Sequence, residues 1–377
     1  MTHIQNKAPL PIELADLRQS SRLALSDCFR VALLIPLCGS AGIWAPSCIS
    51  SAQVAVAELN RAGGILGRKV QLIMIDAAME AEEPIEETIN ELIELGAIDA
   101  IVGMHISAIR QRLSKVVRLR VPYIYTPLYE GGETTPGLFA IGETPEEQLG
   151  PALSFLQQTY RPKSWALIGN DYVWPRSSNS YAKSFLKSLG VGVVMERYLP
   201  FGAKAMSTLV AELDASGAQA VLLSLVGQDA IDFNRAFGAA ELHRKVTRLS
   251  CAIEENGLMA CGAQNVQRLF AASSYFAALP TEGNAAFKEK YYAMHGDFAP
   301  ALNALGQSTY EGVQYLAGLM RDHGEAWRYA GGQFPLCVTY KSGRRAATSS
   351  AEDRAPIYIA RADGLEFSII KQIKTGA

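Results

Sequence analysis

The fold is decided at residues 167–179, which read Leu-Ile-Gly-Asn-Asp-Tyr-Val-Trp-Pro-Arg-Ser-Ser-Asn. An apolar strand ends here at Gly169, and a helix with one apolar face follows. In open α/β sheets, small molecules bind in the crevice beyond the carboxyl ends of the strands. Because Tyr172 and Trp174 stand at that position, the stretch predicts both a strand of a parallel sheet and a ligand site.

A second strand end rich in aromatic residues lies at residues 123–132, Tyr-Ile-Tyr-Thr-Pro-Leu-Tyr-Glu-Gly-Gly. Apolar runs alternate with segments of helical period from residue 31 to residue 125, and the pattern restarts near residue 145. This alternation is typical of βαβ units around a parallel sheet. Each half has one aromatic strand end, which predicts a ligand clamped between two lobes.

The chain has 377 residues, more than one core usually supports. The predicted fold class is α/β, with two Rossmann-like lobes whose parallel sheets are joined by a multi-strand hinge. Two late helices (282–295 and 303–322) and three short β segments (337–340, 357–360 and 367–370) indicate several crossings between the lobes. The predicted parts are an N-terminal extension (1–28), lobe 1 (29–143 plus 276–333) and lobe 2 (144–275 plus 334–377).

Composition narrows the functional class. Net charge is −2 and the 35 basic residues are scattered, which argues against direct nucleic-acid binding and against an anionic membrane surface. No run approaches the ~20 apolar residues of a membrane span. Residues 1–28 lack a secretory apolar core of about 7–15 residues. We therefore expect a cytoplasmic protein, with a periplasmic location left open if a native leader is missing.

The six cysteines show no C-x-x-C pair and no histidine at zinc-ligand spacing, so no metal site is predicted. Buried thiols are the favoured interpretation, and disulfides Cys38–Cys48 or Cys251–Cys261 are left open. No nucleophile elbow or H-E-x-x-H motif is present. The glycine-rich run 63–68 follows a predicted helix, whereas a phosphate-binding loop would precede one. We therefore interpret it as the end of that helix. We predict a protein that is not an enzyme and needs no cofactor.

Polar side chains at the strand ends are the candidate ligand groups. Ser107 begins a helix after a buried strand, where a hydroxyl and backbone N–H groups can hold a carbonyl oxygen. The hydroxyls of Tyr125 and Tyr172 can meet an amide NH2 group, since buried tyrosines need a hydrogen-bond partner. An amino-acid ligand would also need a carboxylate for its ammonium group, which Glu254 or Glu255 could supply.

Four segments carry a family resemblance: residues 57–68, 129–131, 169–179 and 226–227. With them the chain resembles type I periplasmic-binding-protein folds over roughly residues 29–375. More narrowly, it resembles the amide- and urea-binding branch, which includes the amide-sensing negative regulator of the aliphatic amidase operon. The first segment is common to the superfamily, whereas the Tyr-Glu-Gly and Gly-x-Asp-Tyr-x-x-Pro-Arg-x-x-Asn elements are specific to the branch.

The resemblance implies a two-lobe protein that binds a small polar ligand without transforming it. By position, Ser107 and Tyr125 would line the pocket from the first lobe and Tyr172 from the second. Thr126 and Pro127 would shape the floor of the pocket, and Val226 and Gly227 its far wall. His105 and Trp174 are further candidate pocket residues. The chain departs from the branch at His105, where an aromatic is usual, at Gly103-Met104, and in the order Tyr125-Thr126-Pro127.

Two functional hypotheses follow. The first is a non-catalytic sensor of a short amide-like metabolite that regulates amide utilisation by lobe closure, with an RNA-binding antitermination regulator as its partner. The second is the solute-binding component of an ABC importer for urea, short amides or branched-chain amino acids, with an ABC permease as its partner. A homo-oligomer is compatible with either hypothesis.

Overall fold

The computed structural model describes residues 11–13, 28–81, 84–329, 340, 342–344 and 355–373. The first of its two sheets has six parallel strands in the order β1-β3-β2-β4-β5-β6. These strands are β1 (Ile12–Glu13), β2 (Cys28–Ile35), β3 (Lys69–Asp76), β4 (Ala100–Gly103), β5 (Tyr123–Tyr125) and β6 (Leu138–Ala140).

The second sheet has seven strands in the order β13-β12-β11-β10-β9-β7-β8. These are β7 (Ser164–Asn170), β8 (Gly192–Leu199), β9 (Ala220–Ser224), β10 (Thr247–Ser250), β11 (Leu269–Ser273), β12 (Ile357–Asp363) and β13 (Glu366–Ile373). The pairs from β8 to β11 are parallel, and β12 and β13 add antiparallel neighbours at one edge.

Ten helices connect and cover these strands within the described ranges. They are α1 (Ala45–Arg61), α2 (Ile85–Glu94), α3 (Ser107–Val117), α4 (Pro145–Tyr160), α5 (Val173–Ser188), α6 (Met206–Ala215), α7 (Gly227–Ala239), α8 (Glu255–Cys261), α9 (Glu282–His295) and α10 (Ala304–His323). The late helix α10 packs along α1 and against β4 and β5, so it belongs with the first sheet.

Each sheet is covered on both faces, which explains its apolar strands. Every residue from Val31 to Ile35 is fully buried, as a continuous hydrophobic run in a parallel sheet requires. Strand β4 is buried along its whole length. The α/β prediction with two mostly parallel sheets is confirmed.

Details at the two ends of the chain differ from the sequence analysis. Ile12 and Glu13, inside the predicted N-terminal extension, pair in parallel with β3. A two-residue strand is too short to show a hydrophobic period, so the sequence did not indicate it. Of the predicted β segment at 337–340, only residue 340 lies in the described part of the chain.

The two lobes touch across the cleft. Trp174, Val226 and Ala252 of the second lobe belong to the apolar cluster of the first. The backbone N–H of Gln228 donates to the carbonyl oxygen of Ser40 at 2.8 Å. The lobes are therefore in direct contact beside the cleft, which stays partly open to solvent.

Candidate functional site

A cavity of about 50 Å³ lies between the lobes, at the carboxyl ends of strands from both sheets. Seven of the residues proposed from the sequence line it: His105, Ser107, Tyr125, Pro127, Tyr172, Trp174 and Val226. Residues from distant parts of the sequence thus share one space. A buried water needs about 10–15 Å³ on this scale, so the cavity holds the equivalent of roughly four waters.

Gly103, at the end of β4, makes room for the imidazole of His105. A Cβ atom at Gly103 would lie 2.6 Å from His105 Nε2. Nδ1 of this ring lies 3.1 Å from the Ile106 carbonyl oxygen and Nε2 lies 2.7 Å from the Tyr123 hydroxyl. A carbonyl only accepts, so Nδ1 carries the hydrogen and Nε2 accepts from Tyr123.

Burial lowers the pKa of His105 to about 3, so the ring is neutral. Both of its nitrogens already have partners within the first lobe. His105 therefore contributes only the surface of its neutral ring to the cavity wall. It supplies neither a charge nor a free hydrogen-bonding atom.

Ser107 begins α3 directly beneath the cavity. The Tyr125 hydroxyl donates to the His105 carbonyl oxygen at 2.7 Å and lies 3.4 Å from Ser107 Oγ. At the start of α3 the backbone N–H groups of Ile109 and Arg110 donate to the Ile106 carbonyl oxygen, whereas those of Ser107 and Ala108 have no partner among the described residues. These donors and the Ser107 hydroxyl can bind the oxygen of a ligand.

Tyr172 stands at the position just before α5 and reaches the cavity from the second lobe. Its ring packs 6.4 Å from Trp174 and 5.4 Å from Phe201, measured between centroids. Its hydroxyl makes no hydrogen bond with the described residues. A ligand can therefore take this hydroxyl as donor or acceptor without breaking an existing bond.

The buried amide of Asn170 holds the far wall in place. Its Nδ2 donates to Asp229 at 2.7 Å, and its Oδ1 accepts from the backbone N–H of Val226 at 3.0 Å. Asn179, from the same sequence element, accepts from the Ser224 hydroxyl at 2.9 Å. The polar residues of the 169–179 stretch thus fix the strand ends that present Tyr172 and Val226.

Two of the proposed residues do not line the cavity. Thr126 is fully buried, and its carbonyl oxygen accepts a hydrogen bond from Ser308 on α10. Successive strand side chains alternate, so Tyr125 faces the cleft while Thr126 faces α10. Gly227 lies against the first lobe, where a Cβ atom would collide with the carbonyl group of Ser40. Gly227 is a contact between the lobes.

Of the two acids considered for an ammonium group, Glu254 lines the cavity and Glu255 does not. Burial raises the pKa of Glu254 to about 8, and the neighbouring Glu255 adds to the effect. Burial also raises the pKa of Glu255 to about 7, although it accepts a 2.6 Å hydrogen bond from the backbone N–H of Ala277. The cavity therefore contains a carboxyl group whose pKa is well above the usual value for a glutamate.

Several lining residues were not proposed from the sequence. They include Trp44, Glu143, Gln148, Ser273 and Arg344. Most of them stand where the chain crosses between lobes or just beside such a crossing, and their convergence depends on how the lobes are placed. The one feature of the sequence that could have identified any of them is a charged residue at a predicted crossing, such as Glu143.

The guanidinium of Arg344 does not carry a free charge into the cavity. Nε and Nη2 donate to the two carboxylate oxygens of Glu311 at 2.7 and 2.8 Å, and Nη1 donates to Glu143 Oε1 at 2.6 Å. Burial works against the charged form, but Glu311 and Glu143 outweigh it and hold the pKa of Arg344 above its usual value. The group of three carries a net charge of −1 when both acids are ionised.

Neither of the two cysteine pairs for which a disulfide was left open, Cys38–Cys48 and Cys251–Cys261, is bonded, so these four residues are thiols as expected. Cys38 Sγ donates to Asp76 at 3.1 Å, and Cys48, Cys251 and Cys261 are buried thiols. Burial raises the pKa of each of these three to about 12. Cys337 lies outside the described residues. Among those residues, no group of three or more His, Cys, Asp or Glu side chains is arranged to hold a metal ion.

Comparison with known proteins gives a family. Residues 29–330 match the periplasmic binding protein family. The Leu/Ile/Val-binding protein homolog 7 of Brucella abortus is 25% identical over 236 residues, which cover 59% of this chain and 58% of that relative. The aligned part thus spans less than two thirds of the relative's length.

Solved structures show the same fold. A periplasmic binding protein of Burkholderia mallei has a TM-score of 0.79 at 15% identity, covering 93% of this chain and 95% of its own. An ABC solute-binding protein of R. palustris in complex with 4-hydroxybenzoate has a TM-score of 0.77 at 16% identity, covering 93% and 97%. Both of these neighbours are binding proteins.

The comparisons overturn one expectation. The prediction of a cytoplasmic protein is wrong, because the matching family is one of periplasmic binding proteins. That prediction depended mainly on the composition of residues 1–28, whereas the family match covers residues 29–330. No helix in the described ranges has both the length and the apolar character to cross a membrane. On the match over residues 29–330, this chain belongs to the periplasmic binding protein family.

Proposed function

We propose that the protein is the solute-binding component of an ABC importer and that its solute is a short amide or urea. The observation that carries the proposal is the small cavity between the lobes, whose mostly apolar wall carries a few polar groups. Its volume, equivalent to roughly four waters, suits acetamide or urea, each with four heavy atoms. A branched-chain amino acid or a benzoate would need a wider opening between the lobes.

The polar groups of the cavity complement an amide. Ser107 and the backbone N–H groups at the start of α3 offer donors to a carbonyl oxygen. Tyr172, with its unpartnered hydroxyl, faces them from the other lobe. A buried amide left without partners costs about 1–3 kcal/mol, so such a cavity favours solutes that can use both donors and acceptors.

Charge argues against solutes that carry only a carboxylate. Arg344 is the sole cationic side chain among the described lining residues, and Glu311 and Glu143 already neutralise it. A benzoate, the ligand class of the R. palustris neighbour, would find no free cation here.

The importer role is favoured over the sensor hypothesis by the comparisons. The R. palustris neighbour is described as the solute-binding protein of an ABC transporter, and the family match is to binding proteins of the periplasm. Its partner would then be an ABC permease, in place of an RNA-binding antitermination regulator.

A small amino acid is the second candidate solute. Glu254 lines the cavity and can accept an ammonium group, while the start of α3 can accept a carboxylate. The Brucella abortus relative is named for binding leucine, isoleucine and valine. Glycine and alanine come closest to the size of the cavity.

Isothermal titration calorimetry with acetamide, urea, glycine, alanine, leucine and benzoate tests the proposal. Four heavy atoms at a ceiling of about −1.5 kcal/mol each give about −6 kcal/mol, so the tightest Kd expected for acetamide is roughly tens of micromolar. We expect acetamide or urea to bind best. Tightest binding of leucine or benzoate, with no heat from the small amides, would contradict the proposal.

A further inference from the structure

Three crossings of the chain between the lobes meet at one buried side chain. Glu143 lies between β6 and α4, Ser274 follows β11, and Arg344 precedes the return to β12. Arg344 Nη1 donates to Glu143 Oε1 and to Ser274 Oγ, and the Ser274 hydroxyl donates to the same Glu143 oxygen. The Glu143 carboxylate is thus fixed in place through Oε1.

The second oxygen of this carboxylate is not used in the same way. Oε2 of Glu143 has no hydrogen-bond partner among the described residues, and Glu143 lines the cavity with a side chain that is 15% exposed. This oxygen keeps some accessible surface, so it is open to the cavity and available to a solute. Because the other oxygen is held by Arg344 and Ser274, the position of Oε2 is restrained as well.

Gln148 stands beside Glu143 in sequence and in the cavity. It lies in the second turn of α4, which a Thr144–Glu147 capping box begins. The residue is only 2% exposed, it lines the cavity, and its side-chain amide makes no hydrogen bond with the described residues. The side of the cavity beside the crossings between the lobes therefore presents one acceptor and one amide that have no hydrogen-bond partner among the described residues.

We infer that Glu143 is a specificity-determining residue: its free Oε2 accepts an N–H of the solute, and the Gln148 amide donates to the solute's carbonyl oxygen. The inference rests on the proposed function, since it assumes a solute with an N–C=O unit. Glu143 then selects for nitrogen-bearing solutes, because an isosteric carboxylate would place two acceptors face to face.

The rival explanation is that Glu143 only neutralises Arg344. Glu311 offers a matched control for that role. It contacts the same guanidinium and is fully buried, but it does not line the cavity. Glu143→Gln and Glu311→Gln therefore remove the same charge from the same cluster, and only the first removes an acceptor that faces the solute.

The test compares acetamide with acetate, which has the same shape and no N–H. We expect the Kd of acetamide to rise at least tenfold in Glu143→Gln and less than threefold in Glu311→Gln. Acetate, tested in parallel, should bind Glu143→Gln more tightly than the wild-type protein. Equal weakening of acetamide binding in the two variants, or an unchanged Kd in Glu143→Gln, would overturn the inference.

Gln148→Met covers the case in which Glu143→Gln does not fold, because Gln148 takes no part in the ion cluster. Its acetamide Kd should rise about threefold to tenfold with little change in Tm, and an unaltered Kd would overturn the inference. Wild-type protein that binds neither acetamide nor urea would end the proposed function and this inference with it. Wild-type binding with no difference between the variants would end the inference alone.

Discussion

Replacing Gly227 by alanine should weaken solute binding without touching the solute. Gly227 has a φ of +54°, and a Cβ atom there would lie 2.8 Å from the carbonyl carbon of Ser40 and closer still to its oxygen. Carbon atoms in contact stay about 3.5–4.0 Å apart, so the lobes must separate by about 1 Å at this point. Hydrogen bonds across the cleft then stretch beyond about 3.2 Å and weaken.

The magnitude follows from the bonds at risk. The Gln228-to-Ser40 hydrogen bond is lost, and at least one bond from the solute to the opposite lobe weakens with it. At about 0.5–1.5 kcal/mol each, the closed form loses about 1–3 kcal/mol relative to the open form. This corresponds to roughly a fivefold to 150-fold increase in the Kd of acetamide.

The backbone strain of an alanine at positive φ must be separated from the clash. Gly217 is the matched control, because it lies in the same lobe at a φ of +70° with no atom within 4 Å of the place that a Cβ would occupy. Both variants should lose about 1–2 kcal/mol of stability, since the left-handed conformation disfavours any side chain. Only Gly227→Ala should also lose affinity.

Calorimetry with acetamide gives the Kd, and small-angle scattering gives the radius of gyration with and without solute. We expect Gly227→Ala to stay more expanded than wild type at the same acetamide concentration, and Gly217→Ala to match wild type. A Gly227→Ala protein with a Kd within twofold of wild type and the same compaction would refute the reasoning.

Three further predictions concern the cavity wall. Tyr172→Phe should raise the Kd of acetamide or urea about twofold to tenfold, because it removes one hydroxyl hydrogen bond; an unchanged Kd by calorimetry would take the hydroxyl out of the site. Glu254 has a folded pKa near 8, so it keeps a proton that the unfolded chain loses near its usual value of 4.5. Stability relative to Glu254→Gln should therefore fall as pH rises from about 5 to 8, and Tm values that differ by a constant amount over that range would contradict this. Arg344→Met should lower the free energy of unfolding by about 3–5 kcal/mol, since Glu311 and Glu143 would be left buried together without their cation. Unfolding in guanidinium chloride, chosen because urea is a candidate solute, measures this loss. A loss below about 1 kcal/mol would argue against the ion cluster.

The parts of the site that were predicted lie at the ends of regular strands. Tyr125 and Tyr172 follow apolar runs whose period marks a strand, and strand ends in parallel sheets meet at one edge. Their neighbours show the limit of this reasoning. Thr126 turns away because side chains alternate along the chain, and Gly227 meets a loop of the other lobe, which no local pattern records.

A different reason prevented prediction of the cavity wall at the crossings between the lobes, which Glu143 and Arg344 form. Glu143 and Arg344 are 201 positions apart, and they meet only because separate crossings run side by side. Their sequence neighbours show neither helical nor strand period at these points. Only the placement of the two lobes relative to each other brings their charges together.

The packing of Trp174, Val226 and Ala252 onto the first lobe bears on where the free energy of binding comes from. A solute as small as acetamide or urea, the class we propose, has little interaction energy of its own with which to hold two lobes together. The apolar contact at these three residues stabilises the form in which the lobes touch, independently of the solute's own contacts. Apparent affinity scales with the fraction of molecules in the binding-competent form, so substitutions at these three residues should change the Kd of the solute without removing any polar contact of the cavity.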